Sequence, residues 1–196
     1  RHLLKKASRI VALGETMRDR LVKEKGADPA KISVIHNWTD CAAIEPGDKQ
    51  NPFSRANGID SRFVVAHSGN LGHSQNLDVL LQAAAMLQHH TEVLFVLIGD
   101  GSRRGALMEM AKRQNLTNVA FLPYQDRAVL RDSFASADVF VVSLKAGLAG
   151  YIVPSKTYGF MAASRPIVGA VEDLCEVAQL IRKYDCGILA KPGDPQ

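Results

Sequence analysis

With 196 residues, 46% hydrophobic and 22% charged, the chain can fill one sizeable α/β core, or one domain plus part of another, without disulfide staples. A formal net charge of +4 is too small to argue for nucleic acid, and three scattered cysteines (Cys41, Cys175, Cys186) form neither a disulfide framework nor a metal pattern. No apolar run approaches the roughly 18 residues of a membrane span, and no signal peptide precedes the first strand, so a cytoplasmic location is expected.

Positive charge gathers in the first segment, at Arg1, Lys5, Lys6, Arg9, Arg18, Arg20, Lys23 and Lys25. Such a cluster suits an acidic membrane surface or simply a solvated face. The abrupt ends, at Arg1 and at Gln196, read as cuts in a longer chain. Residues 9–13 read as a strand, 15–25 as a helix, 26–29 as a linker and 32–35 as a second short strand. The pattern then weakens. Asn37 to Asp40 and Glu45 to Pro52 carry turn residues and little periodicity, which places a domain boundary or hinge near residues 37–50.

From residue 60 the chain settles into six alternations, with strands expected at 63–67, 93–98, 119–122, 139–143, 166–171 and 187–190. The intervening helices are expected at 77–89, 103–115, 127–136, 155–163 and 172–184. Leu77, Leu80, Leu81, Ala84 and Leu87 have the spacing of a helical face packed on a sheet. Alternation with right-handed crossovers predicts a Rossmann-like, doubly wound parallel sheet with helices on both faces, in order 3-2-1-4-5-6.

Three glycine-bearing loops follow strands. Gly69, Asn70, Leu71 and Gly72 lead into His73, Ser74 and Gln75, which supply neutral donors but no cation; the segment reads equally as a ligand loop or a capped turn. Gly99, Gly101 and Gly105 form a weak variant of the dinucleotide fingerprint. It follows the second strand rather than the first, and the next strand closes with Pro123 and Tyr124, so a tight turn is favoured. The loop from Gly147 leads to Pro154, Ser155 and Lys156, a helix start with a lysine in the first turn. A bound anion would offset the unfavourable meeting of that cation with the positive helix end.

No catalytic constellation is evident. Asp138 to Glu172 encloses no carboxylate, which rules out a paired-carboxylate hydrolase centred on that loop. Ser68, Ser143 and Ser155 lack a nucleophile-elbow context, and His2, His36, His67, His73, His89 and His90 have no metal spacing.

Taken together, these features resemble the carboxyl-terminal, nucleotide-sugar-binding half of a GT-B glycosyltransferase of family 4 (group 1). Residues 7–17 and 32–40 resemble the last units of the family's amino-terminal domain, 69–78 its first donor-domain loop, and 137–142 and 154–166 its later signatures. The Pro154-Ser155-Lys156 variant resembles bacterial surface-polysaccharide transferases, including fucosaminyl-like enzymes. There are departures. Asn70 and Gln75 stand where the family often carries a diphosphate-clamping Arg and Lys, and its E-x7-E pair would fall on Tyr151 and Gly159, so ribose must be held differently.

The resemblance implies a retaining transfer from a UDP- or GDP-sugar to a saccharide or polyprenyl-linked acceptor held by the other half, in polysaccharide or lipopolysaccharide biosynthesis at the inner face of the plasma membrane. Residues 1–45 would be the end of the amino-terminal acceptor domain and the linker, and 46–196 the donor domain, truncated at its end. Gly69, Asn70, Leu71, Gly72, Gln75, Pro154, Ser155 and Lys156 would meet the donor and its diphosphate. Leu122, Pro123, Tyr124, Gln125, Tyr158 and Gly159 would lie near base and ribose. The catalytic residues stay unassigned and are expected in the other half, and no metal or other cofactor is expected, because dipoles and basic side chains stabilise the leaving diphosphate. The alternatives are a nucleotide-sugar 2-epimerase of the same fold, an NADP-dependent oxidoreductase domain resting on Gly99 to Gly105, and a non-catalytic nucleotide-binding module.

Overall fold

The computed structural model describes residues 2–196, so Arg1 of the basic cluster lies outside the described residues. Helix α1 (His2–Lys6) leads into β1 (Ile10–Ala12), α2 (Glu15–Lys25) and β2 (Ile32–Val34), and the two strands pair in parallel as a small separate sheet. Gly26 stops α2 in the left-handed conformation (φ 67°), its N–H donating to the carbonyls of Leu21 and Val22.

A short helix, α3 (Pro52–Ala56), starts at the last residue of the stretch read as turn-rich and was not expected. Five residues are too few to show apolar periodicity, yet its start is fully signalled. Asn51 and Ser54 exchange capping-box hydrogen bonds and Pro52 opens the helix. The Asn51 amide also donates to the Asp132 carbonyl and the Ser136 hydroxyl, at 2.9 and 3.1 Å, tying α3 to the main body.

The main sheet comprises β3 (Phe63–Asn70), β4 (Val93–Asp100), β5 (Val119–Leu122), β6 (Val139–Ser143), β7 (Ile167–Ala170) and β8 (Gly187–Ala190). All pairings are parallel and the spatial order is β5-β4-β3-β6-β7-β8, the order expected from the six alternations. Successive side chains go to opposite faces. Val64, Ala66, Val96, Phe140, Val142 and Ile167 join one core; Phe95, Leu97 and Val141 join the other. Helices α4 (Asp78–Met86) and α5 (Arg104–Arg113) cover the second face through Leu80, Leu81, Ala84, Leu107 and Ala111. Helices α6 (Leu130–Ala135), α7 (Lys156–Ala162) and α8 (Glu176–Tyr184) cover the first through Phe134, Phe160, Val177 and Ile181.

Three aromatic rings fix α6 and α7 on β6. Phe140 and Phe160 stack at 3.8 Å, and Phe134 meets them edge-on at 5.5 and 5.1 Å. Each such pair is worth about 0.5–1.5 kcal/mol beyond its buried area, so the start of α7 is held by a rigid packing unit. Gly159 belongs to this unit: a Cβ there would come within 2.7 Å of the Phe134 ring.

Several boundaries differ from expectation. Helix α4 ends at Met86, leaving Leu87 exposed rather than on the packed face; residues 127–129 form a 3-10 turn before α6; and α8 begins only at Glu176. More informative is the length of β3 and β4, whose paired register continues through Gly69–Gly99 and Asn70–Asp100. A Cβ on Gly99 would overlap the Gly69 carbonyl oxygen, and one on Gly101 would lie 2.5 Å from Asn70 Oδ1 and 2.7 Å from the Leu71 backbone. These glycines therefore admit the protein's own backbone rather than a ligand.

Candidate functional site

Strands β3 and β6 are neighbours where the strand order reverses, and a parallel sheet opens a crevice at the carboxyl edge of such a point. A cleft of about 320 Å³ lies there. His67 to Asn70 and Gln75 form one wall, Val142 and Ser143 the floor, and Ile152 to Thr157 the other wall. Six of the expected donor residues thus meet in one place: Gly69, Asn70, Gln75, Pro154, Ser155 and Lys156.

Leu71 and Gly72 do not line the cleft. The Leu71 side chain is fully buried in the core beneath α4, and Gly72 packs beside the Asn70 and Gln75 side chains. The loop before α7 is held from outside. Arg20 Nε donates to the Ala149 carbonyl at 2.6 Å, Tyr151 bonds Glu24 and stacks under the Arg20 guanidinium at 4.3 Å, and a Cβ on Gly150 (φ 76°) would come within 2.9 Å of Thr16. Tyr151 is therefore drawn onto α2.

Lys156 is the cation of the cleft. Its stem passes Gly69, where a Cβ would lie 3.5 Å from Lys156 Cδ. Its Nζ stands 5.4 Å from the Tyr124 ring centre and 5.9 Å from that of Phe134. Among the described residues no carboxylate forms an ion pair with it. Burial pushes its pKa below the ordinary lysine value, as desolvation of an unpaired cation must.

The helix start contributes less than its sequence implied. Helix α7 has seven residues, Ser155 makes no side-chain cap bond, and the Thr157 and Tyr158 amides donate to the carbonyls of Pro154 and Ser155 at 3.4 and 3.3 Å. The amides near Ser155 are thus partly engaged, and the anion-attracting weight falls on the Lys156 side chain. Thr157 is fully buried on the cleft wall, with its hydroxyl unpartnered.

His67, read only as a histidine without metal spacing, also faces the cleft. Its Nδ1 lies 3.2 Å from the Val141 carbonyl, while Nε2 is buried and no group meets it at hydrogen-bond geometry. Burial pushes the imidazole pKa down, the Val141 and Asn70 backbones oppose this, and the charge on Lys156 adds to it. Ser68, Ser143 and Thr157 were likewise not singled out as ligands. Their signal was the predicted strand order, which sets the first and fourth strands side by side.

The expected base and ribose set divides. Tyr124 and Gln125 line a neighbouring hollow with Trp38, Asp40 and Arg127, and the Tyr124 ring also faces Lys156. Leu122 packs against the core, and the Pro123 carbonyl accepts from Gln125 Nε2 at 2.7 Å. Tyr158 and Gly159 do not line the cleft. Tyr158 lines a separate pocket with Glu15, His36 and Glu176, its hydroxyl buried and its pKa raised by burial, and Gly159 serves the Phe134 contact. Among the described residues no group of three or more His, Cys, Asp or Glu could hold a metal, and no helix is long and apolar enough to cross a membrane.

Residues 62–196 match the sequence profile described as Glycosyl transferases group 1. The chain is 32% identical to "Probable glycosyltransferase WbjE" of Pseudomonas aeruginosa, over 96% of this chain and 47% of that protein. It is 30% identical to the D-inositol 3-phosphate glycosyltransferase of Mycolicibacterium vanbaalenii, over 96% of this chain and 43% of that protein. The crystal structure of Anabaena Alr3699/HepE in complex with UDP-glucose superposes with a TM-score of 0.83 at 20% identity, covering 99% of this chain and 52% of that one. The chain thus spans about half the length of the relatives it matches.

Proposed function

The chain belongs to the group 1 glycosyltransferases, and from that premise we propose that it is the donor-binding half of an enzyme that moves a sugar from a nucleoside-diphosphate sugar to a saccharide acceptor. The observation that carries this reading is Lys156, a half-buried cation with no carboxylate partner among the described residues, passing Gly69 in a cleft at the strand reversal. A diphosphate supplies the missing counter-charge and gains charge as its bond to the sugar breaks, so Lys156 stabilises the leaving group most in the transition state. Stacking on Tyr124 would hold the base.

In this reading residues 1–45 close the acceptor domain and its linker, and 46–196 form the donor domain. The transfer is retaining. The bond between the anomeric carbon and the diphosphate breaks, and an acceptor hydroxyl oxygen bonds that carbon on the same face. No carboxylate lines the cleft, so acid–base work and acceptor selection are assigned to the rest of the protein. No metal is invoked. The acceptor is a polyprenyl-linked saccharide, and the basic residues of α1 and α2 face the cytoplasmic membrane surface. A 25% identity to the "Putative colanic acid biosynthesis glycosyl transferase WcaI" of Escherichia coli (strain K12), over 89% of this chain and 43% of that protein, supports a polysaccharide-biosynthesis setting.

Thermal melts with UDP, GDP, UDP-glucose, GDP-mannose and NADPH test the reading. A rise with a nucleoside diphosphate is expected. A rise with NADPH alone would transfer the site to redox chemistry, and indifference to every nucleotide would remove the donor-binding role.

A further inference from the structure

Beyond the diphosphate, the cleft contains a buried polar atom that the proposed reaction has not used. The Val141 carbonyl can only accept, so His67 Nδ1 must carry the hydrogen of the 3.2 Å bond between them. The neutral ring then presents Nε2 as a bare lone pair, able to accept and unable to donate. Only 7% of His67 is exposed, and among the described residues no group meets the buried Nε2 at hydrogen-bond geometry, although the Asn70 backbone lies near enough to the ring to raise its pKa. Leaving such an acceptor unsatisfied costs the desolvation of its lone pair without return.

The approach to Nε2 carries no side chain at residue 69, a glycine. A Cβ there would lie 3.8 Å from Nε2 and 3.5 and 3.8 Å from Lys156 Cδ and Cε. Those stem atoms are carbons and donate nothing. They belong to a flexible side chain, which can shift when an anion engages its Nζ.

We propose that His67 reads the donor sugar: its Nε2 accepts a hydrogen bond from a sugar hydroxyl reaching past Gly69. This rests on the reading of the cleft as a nucleotide-sugar site and adds its orientation. The chemistry separates the two ends. A diphosphate oxygen carries no hydrogen at neutral pH and has nothing to give a bare lone pair, whereas each sugar hydroxyl does. The lowered imidazole pKa is consistent with a ring that stays neutral beside Lys156. Lys156 therefore marks the diphosphate end and His67 the sugar end of one short cleft.

The structural alternative is a core histidine satisfied by Val141 alone, and His67→Asn separates the two. An asparagine amide can keep the donor to the Val141 carbonyl while removing the acceptor at the ε position. Calorimetric titrations of both proteins with UDP, UDP-glucose, UDP-N-acetylglucosamine, GDP and GDP-mannose would compare each sugar nucleotide with its parent diphosphate, with melts confirming folding. The variant should bind the parent diphosphate within twofold of wild type and lose roughly three- to tenfold in affinity for the sugar nucleotide, the worth of one neutral hydrogen bond. His67→Gln, which returns an oxygen to the ε position, should recover part of that loss. Equal losses for diphosphate and sugar nucleotide, or no loss for either, would overturn the assignment. Failure of wild type to bind any nucleotide would instead overturn the donor-site reading on which it rests.

Discussion

Replacing Lys156 by alanine should move two observables in opposite directions. Its charge is partly desolvated, its pKa is lowered by burial, and among the described residues no carboxylate pairs with it. In the nucleotide complex the lysine gains an anionic partner. Removing it should cost about 1.5–3 kcal/mol, the range for hydrogen bonds to charged groups, or roughly 10- to 150-fold in Kd. Without ligand, alanine relieves the desolvation and the opposed helix dipole, but forfeits a cation–π contact worth about 0.5–1 kcal/mol. The melting temperature should therefore hold within about 3 °C, since 1 kcal/mol moves a domain of this size by roughly 2–4 °C. The pH dependence has a definite sign. The folded state releases the Lys156 proton at lower pH than the unfolded chain does, so between the depressed pKa and the ordinary value the unfolded state binds more protons. Wild-type stability should gain with pH across that window relative to Lys156→Ala, while its nucleotide affinity falls. Calorimetric titration with UDP and GDP, with melts of both proteins across alkaline pH, measures each term. Unchanged affinity would refute the ligand role; a large loss of ligand-free stability would make the lysine a structural residue.

Gly99→Ala should cost about 4 kcal/mol or more, because its Cβ collides with a backbone carbonyl at φ 141°. Gly105→Ala, with nothing within 4 Å, should be neutral or stabilise by up to about 1 kcal/mol; equal denaturant midpoints would refute the close approach of β3 to β4. His67→Asn should flatten the acid limb of stability: the buried ring's pKa lies below the ordinary 6.5, so wild type loses stability as pH falls from about 6.5 towards that folded value. Parallel acid limbs for the two proteins would contradict the buried neutral ring.

The strand order was legible because the six apolar runs and the helical faces between them are strong periodic signals, and crossover handedness leaves few topologies. The ends of β3 and β4 were not. Glycine reads as punctuation in a sequence, whereas Gly99 and Gly101 are required by the backbone lying against them, a relation between segments some 30 residues apart. Helix α3 was hidden by its brevity, although Asn51, Pro52 and Ser54 spell its cap. In the cleft, Gly69, Gln75 and Lys156 stood out as loop and helix-start residues. His67 looked like part of a buried strand, because its partner carbonyl is 74 residues away and its free nitrogen becomes visible only when β6 lies beside β3. Tyr158 and Gly159 shared the helix of Lys156 but turn to other faces, one to a separate pocket and one to Phe134.

The measurement closest to the central claim is a crystal structure of this chain with the sugar nucleotide that binds it most tightly. The account predicts a diphosphate oxygen about 3 Å from Lys156 Nζ, the base against Tyr124, and a sugar hydroxyl donating to His67 Nε2. A nucleotide bound along Gly99 to Gly105, or in the hollow beside Trp38 and Arg127 without touching Lys156, would contradict it.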